Sequence, residues 1–198
     1  MEVLQSILNG ILSVDGNILL WIQEHLRFEW LTPIMLKITH LGDKGFIWIV
    51  LGVILLLPKK TRRAGFLSLL ALLSAHLLCN CVLKDFVARI RPYELVDGLQ
   101  CLIGKMNSFS FPSGHTMTAF AAAMVITKST RKRIGVPVMI LAVCIAFSRL
   151  YVGVHYPTDV FFGAVMGALI GLIFFWLFGE KKYKQRARRQ AARRRRRR

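Results

Sequence analysis

Three short stretches carry the residue types of anion chemistry at regular intervals. Lys84 and Arg91 are seven positions apart, close to two helical turns, so on one helix they would project from nearly the same side and grip one ligand. Arg89 is rotated away from that side and follows Asp85 by four residues, so these two read as a structural ion pair. Pro92 disfavours helical geometry at Arg91, so the helix is expected to end there and let the guanidinium swing over the ligand. The string FPSGH, residues 111–115, reads as a helix start: Pro112 stiffens the approach, Ser113 is a good cap, and Gly114 permits close backbone approach. Unpaired amides at a helix start attract anions, phosphate among them. Alone, the string would also fit a capped helix with a rim histidine, His115.

The third stretch is SRLYVGVHYPTDV, residues 148–160. Pro157 suits the first helical position and puts Asp159 in the opening turn, one turn from His155. A carboxylate there accepts a proton from one imidazole nitrogen, fixes the tautomer and leaves the other nitrogen as a nucleophile. By itself the pair would serve equally as a polar cap. Summed, the three stretches offer three cations (Lys84, Arg91, Arg149), an anion cradle at Ser113 and Gly114, and two histidines, one with a carboxylate beside it. Phosphoryl transfer uses those parts: charge for the equatorial oxygens, an in-line nucleophile and an acid for the departing oxygen.

The elements that must bring these stretches together are membrane helices. Of 198 residues 55% are hydrophobic, too many for an ordinary soluble domain and too few residues for two domains. Windows 45–58, 64–83, 134–148 and 160–179 contain no Asp, Glu, Lys or Arg, and a fifth, 113–127, has His115 as its one ionisable residue. The expected architecture is an all-α integral membrane bundle of five transmembrane helices, or six if the amino-terminal segment also crosses. Two windows have the roughly 20 residues that a hydrocarbon core about 30 Å thick requires, and the others fall short. Extending the fourth through Val154 carries Arg149 into the membrane region, where it needs a partner. Residues 1–41 mix Asp15, Glu24, Arg27, Glu29 and Lys37 with apolar positions and read as one or two interfacial amphipathic helices. The opening MEVLQS, with an acid and no base, argues against a cleaved secretory signal.

Charge sets the sidedness. The net charge is +18, and twelve of the 28 basic residues lie in 181–198, a low-complexity run that reads as a disordered cytoplasmic tail, either a topology anchor or a ligand for anionic headgroups. Lys59, Lys60, Arg62 and Arg63 fill one loop and Lys128, Arg131, Lys132 and Arg133 another, neither with an acid. The positive-inside rule makes that face cytoplasmic, and alternation then sends all three chemical stretches to the opposite face. The domain reading is 1–41 interfacial, 42–180 catalytic and 181–198 tail. Nothing resembles a nucleic-acid reading module. Cys79, Cys81, Cys101 and Cys144 show neither a disulfide framework nor metal-ligand spacing.

Lys84 with Arg91 and Pro92, then Pro112, Ser113, Gly114 and His115, then Ser148, Arg149, His155 and Asp159 together resemble the three-part signature of the type 2 phosphatidic acid phosphatase superfamily, every position filled and in order. The resemblance implies that His155 attacks phosphorus to form a phosphohistidine, that Asp159 orients it, and that His115 protonates the leaving group. It further implies that Lys84, Arg91, Ser113, Gly114 and Arg149 hold the phosphate, with no metal or other cofactor. The implied activity is hydrolysis of a lipid phosphate at the extracytoplasmic surface of a bacterial cytoplasmic membrane. Polyprenyl diphosphate leads as substrate, ahead of phosphatidylglycerol phosphate and phosphatidic acid, and a phosphotransferase using a lipid or sugar acceptor is the alternative. A channel or transporter is disfavoured because windows 64–83 and 160–179 offer little beyond His76 and Asn80 as a polar path.

Remaining features have plainer readings. His76, Asn80 and Lys84 share a helical stripe, and His76 reads as a bundle hydrogen bond more than a relay. His40, in ITHLGDKG, reads as an interfacial turn residue or a lining of the substrate entrance, and His25 as interfacial. Gly163, Gly167 and Gly171 form a small-residue ridge that suits packing inside the bundle, with a dimer face as the second reading. Phe109 and Phe111, in the long loop 93–111, are placed to guide a lipid chain.

Overall fold

The computed structural model describes residues 2–179, and within them every regular element is helical. The basic run 181–198 lies outside the described residues. Helices α1 (Glu2–Leu26) and α2 (Thr32–Leu41) come first. A tight turn, Asp43–Gly45, leads into α3 (Phe46–Leu56). Lys44 and Gly45 both have positive φ (51° and 72°), and the chain bends by 50° between α2 and α3. Helix α4 (Arg62–Leu78) runs on through a π turn, Cys79–Leu83, and a last turn, Lys84–Val87. Then come α5 (Gly114–Ser129), α6 (Lys132–Tyr151) and α7 (Pro157–Phe174), the last extended by a π turn, Phe175–Gly179.

Helix α5 is the axle of the bundle. Its small residues Ala119, Ala121, Ala122 and Ala123 are all buried, and α4, α6 and α7 pack around it. Short side chains let backbones approach closely, which is how helices gain packing energy where lipid removes the hydrophobic drive. The glycine ridge of α7 takes this furthest. A Cβ at Gly163 would sit 2.9 Å from the Ser113 carbonyl oxygen, one at Gly167 2.2 Å from that of Met117, and one at Gly171 2.6 Å from that of Ala121. Helix α5 therefore fills the ridge, as packing inside the bundle requires. Facing outward are Val53, Ile54, Leu73, Ile140, Val143, Leu169 and Ile173, an apolar belt suited to lipid.

Three helical stretches among the described residues are long and apolar enough to cross a membrane, and the bent α2–α3 pair makes a fourth if it counts as one span. The expected five are not reached on length because α5 has 16 residues, about 24 Å of helix. Its position at the bundle centre explains how it can be short, since neighbouring helices and not lipid surround it. Helix α2 meets α3 across the 50° bend.

Helix α1 is docked, not adrift. Leu19 and Ile22 are buried, whereas Val14, Ile18 and Trp21 are exposed. Gln23 and Arg27 tie it to the loop before α5 and to the end of α6: Gln23 Nε2 donates to the Gly98 carbonyl, and Arg27 donates to the carbonyls of Tyr151 and Gln100.

Candidate active site

One end of the bundle encloses a cavity of about 570 Å³ lined by Lys84, Arg91, Gly114, His115 and His155 among others. Five of the eight residues singled out from the sequence thus face one space. The other three, Ser113, Arg149 and Asp159, are buried around it. Stretches separated by up to 71 positions converge because α4, α5, α6 and α7 all present the appropriate ends to the same side.

The His155 ring is buried in the bend between α6 and α7. Gly153, at φ 78°, reverses the chain there, and its absent side chain matters: a Cβ would lie 2.8 Å from the Gln100 carbonyl oxygen. His155 Nδ1 lies 3.6 Å from Asp159 Oδ2, longer than a hydrogen bond, and Ser110 stands between them, with Oγ 3.5 Å from Nδ1 and 2.5 Å from Oδ2. A proton on Nδ1 is favoured on this side, which leaves Nε2 with a lone pair. Burial, reinforced by Arg91 and Arg149, pushes the imidazole down to about 3 from its ordinary value, against the opposing pull of Asp159. The ring is therefore neutral at any physiological pH, as a nucleophile must be.

Asp159 is fixed on all sides. Pro157 occupies the first turn of α7 as anticipated, and the Tyr156 amide donates to Asp159 Oδ2 at 2.9 Å, closing the helix start. Arg89 Nη1 lies 2.6 Å from Asp159 Oδ1, and Nη2 lies 2.8 Å from Asp15 on α1. The expected Asp85–Arg89 pair does not form. Ala88 adopts a left-handed conformation, φ 48°, so the helix stops at Val87 and the four-residue spacing loses its helical meaning. For the same reason Lys84 and Arg91 do not share a helix: Arg91 is extended, with φ −76° and ψ 151°. They meet in the cavity by a kink instead of a common face.

The three cations differ. Arg91 is buried, and its guanidinium donates to the carbonyls of Ser108, Val154 and Phe109 and to the Ser108 hydroxyl. Lys84 donates to the same hydroxyl at 3.2 Å. Arg149, wholly buried, donates to Thr39 Oγ1 at 2.5 Å and approaches Met106 Sδ at 3.5 Å, while its Nε has no hydrogen-bond partner among the described residues. Among the described residues none of the three makes an ion pair with a carboxylate. Buried positive charge without a counter-ion is costly, and a dianionic phosphate supplies what is missing. Ser113 takes the N-cap position of α5, but its hydroxyl meets that of Thr116 instead of a backbone amide.

His115 has a partner that spacing did not disclose. Its Nε2 lies 2.9 Å from Asp43 Oδ1 in the turn before α3, and the other Asp43 oxygen lies 2.8 Å from His40 Nδ1. His40 thus sits beside the site through Asp43 and does not line the cavity. Gly42 leaves room for this arrangement, since a Cβ there would stand 2.9 Å from the imidazole Cδ2 of His115. Asp43, Ser110 and Asp15 are partners of the candidate site that spacing did not disclose, and Arg89 has partners other than the expected Asp85. The one available signal was the charged turn GDKG, bracketed by glycines. Among the described residues His76 does not make the expected bond to another helix: it is exposed, pairs through Nδ1 with Asn80 Nδ2 at 3.2 Å one turn along the same helical run, and both residues line the cavity.

Fold and site together define a membrane-embedded helical phosphatase, a hydrolase of phosphoric esters and anhydrides. The sequence profile of the PAP2 superfamily matches residues 65–183, and the chain belongs to that superfamily. It is 31% identical to the undecaprenyl-diphosphatase of Sulfolobus acidocaldarius over 72% of this chain and 68% of that protein. It is 34% identical to phosphatidylglycerophosphatase B of Bacillus subtilis over 73% and 74%. Among solved structures, the transmembrane PAP2 type phosphatidylglycerolphosphate phosphatase from Bacillus subtilis superposes with a TM-score of 0.72 at 32% identity, covering 85% of this chain and 86% of that one.

Proposed function

We propose that the chain hydrolyses a lipid phosphate through a phosphohistidine on His155, with polyprenyl diphosphate as the leading substrate. The observation that carries this reading is the set of three cations without carboxylate partners around a cavity that both imidazoles line. The His155 Nε2 lone pair attacks phosphorus while the bond from phosphorus to the leaving oxygen breaks. His115 passes its proton to that oxygen, and Lys84, Arg91 and Arg149 stabilise the equatorial oxygens, with the Ser113–Gly114 helix start beside them. The deprotonated His115 then takes a proton from water, the water oxygen bonds to phosphorus, and the phosphorus–nitrogen bond breaks to release phosphate. Each step uses side chains of this protein and no metal.

The site faces the extracytoplasmic side in this reading, because Lys59, Arg62, Arg63, Arg131, Lys132 and Arg133 gather at the opposite bundle end. Five helices cross, α5 among them, with α1 in the outer interface; residues 42–180 form the catalytic unit in a bacterial cytoplasmic membrane, and the tail 181–198 meets anionic headgroups on the cytoplasmic side.

The test is a side-by-side panel of radiolabelled polyprenyl diphosphate, phosphatidylglycerol phosphate and phosphatidic acid with the purified protein. Free phosphate is expected, with acid-labile label trapped on the wild-type chain and none on His155→Ala. Label appearing on a lipid or sugar acceptor instead of water would establish a phosphotransferase. Full turnover by His155→Ala would overturn the mechanism.

A further inference from the structure

The catalytic cavity holds more polar groups than a single phosphate can occupy. Beyond the signature residues its wall includes Lys44, His76 and Asn80, followed by the apolar Ile49, Leu72 and Leu73. Lys44 comes from the turn between α2 and α3, where its positive φ and that of Gly45 redirect the chain. It has no ion-pair partner among the described residues. His76 accepts from or shares a proton with the Asn80 amide at Nδ1, and an amide nitrogen carries only hydrogens, so Nδ1 is the acceptor and Nε2 carries the ring proton. That N–H has no hydrogen-bond partner in the described residues, while the His76 side chain is exposed along the cavity.

Order along the wall is informative. From Lys84 the residues facing the cavity step back along α4 through Asn80, His76 and Leu73, roughly 6 Å for each four residues. A phosphate-binding end is followed by a shelf of donors and then by hydrocarbon. A prenyl diphosphate has the same order: the phosphate to be removed, a second phosphate, then an apolar chain. In a monoester such as phosphatidic acid, by contrast, the scissile phosphate is followed by an uncharged glycerol ester, which offers no second anion to the exposed Lys44 ammonium and His76 N–H.

We infer that Lys44 and His76, with Asn80 holding the histidine tautomer, form a subsite for the second phosphate of a lipid diphosphate, retaining it on the leaving group while His155 takes the terminal phosphoryl. The inference rests on the phosphatase reading above and adds the residues that choose between phosphoric anhydride and ester. Lys44 and His76 touch the leaving group and not the reacting phosphorus, so they govern discrimination between substrates.

The experiment measures kcat/KM for a short-chain prenyl diphosphate and a short-chain phosphatidate in one detergent, for the wild type, Lys44→Met, Lys44→Arg and His76→Phe. The ratio of diphosphate to monophosphate efficiency is expected to fall at least tenfold in Lys44→Met and His76→Phe, and to recover in Lys44→Arg. A ratio within threefold of wild type in both loss variants would overturn the inference. Should those variants fail to fold, competition on the wild type decides: a prenyl methylenediphosphonate must inhibit at least tenfold more tightly than the prenyl monophosphonate, and equal inhibition overturns the subsite. A wild type that releases phosphate from neither lipid would instead remove the phosphatase reading itself.

Discussion

Arg89 joins Asp159 at 2.6 Å although the two residues are 70 positions apart, and the same guanidinium reaches Asp15 at 2.8 Å and lies 3.9 Å from the centre of the Tyr156 ring. Asp15 also accepts from the Thr158 amide and hydroxyl. The Asp159 carboxylate beside His155 is therefore held from α1, through Arg89. Breaking a buried pair by removing one partner leaves an uncompensated charge and costs about 3–5 kcal/mol. Arg89→Met should lower the unfolding temperature in detergent and reduce phosphohistidine formation by at least a hundredfold. Asp15→Asn keeps the acceptor for Thr158 and should have a smaller effect on both. Equal activity in Arg89→Met and wild type would show that Asp159 needs no such anchoring.

Asp43 bears on the first chemical step of each turnover, through its 2.9 Å contact with His115. Removing its charge should slow protonation of the leaving group without weakening phosphate binding. Asp43→Asn is expected to lower kcat by about ten- to a hundredfold with KM changed less than threefold. A nitrophenyl phosphate, whose leaving group needs no proton, should be hydrolysed by the variant nearly as well as by the wild type. A loss as large on that substrate would show that Asp43 only maintains structure.

The neutral state of His155 has a pH consequence. A group held at about 3 stays unprotonated as pH falls through the ordinary histidine range, so the nucleophile is not lost there. With nitrophenyl phosphate, rapid-quench measurement of phosphoenzyme formation should give a rate changing less than threefold between pH 7 and pH 5. A tenfold decline centred near pH 6.5 would mean that the ring titrates normally.

Packing along α7 predicts a graded series. At Gly167 a methyl group would meet the Met117 carbonyl oxygen at 2.2 Å, so Gly167→Ala forces α5 and α7 apart and should destabilise by about 1–3 kcal/mol or more. Among the described residues nothing lies within 4 Å of where a Cβ on Gly10 of α1 would sit, and Gly10→Ala should leave the melting temperature in detergent unchanged or slightly raised. Similar melting temperatures for the two variants would contradict the close α5–α7 seam.

The signature residues were readable because their spacing is local: His155 and Asp159 sit one turn apart at a helix start that Pro157 announces, and FPSGH marks another start. Hydropathy likewise located the apolar segments. What stayed hidden depends on distant partners. Asp43 meets His115 across 72 positions and Ser110 meets Asp159 across 49, and no periodicity records either contact. The misread Asp85–Arg89 pair shows the limit from the other side. Its spacing was right for a helix, but a single left-handed residue, Ala88, ended that helix between them. Length alone does not assign α5 as a span, because a helix enclosed by other helices is not bound to the length that lipid imposes.

The clamp on Asp159 also fixes when during synthesis the enzyme can begin to work. Asp15 and Arg89 are both in place once α4 has been made, but the carboxylate they orient arrives only with α7. A chain made only as far as the start of α7 already holds Lys84, Arg91, His115 and His155 but lacks Asp159. On the proposed mechanism, a partially inserted product would have the imidazole without the carboxylate beside it.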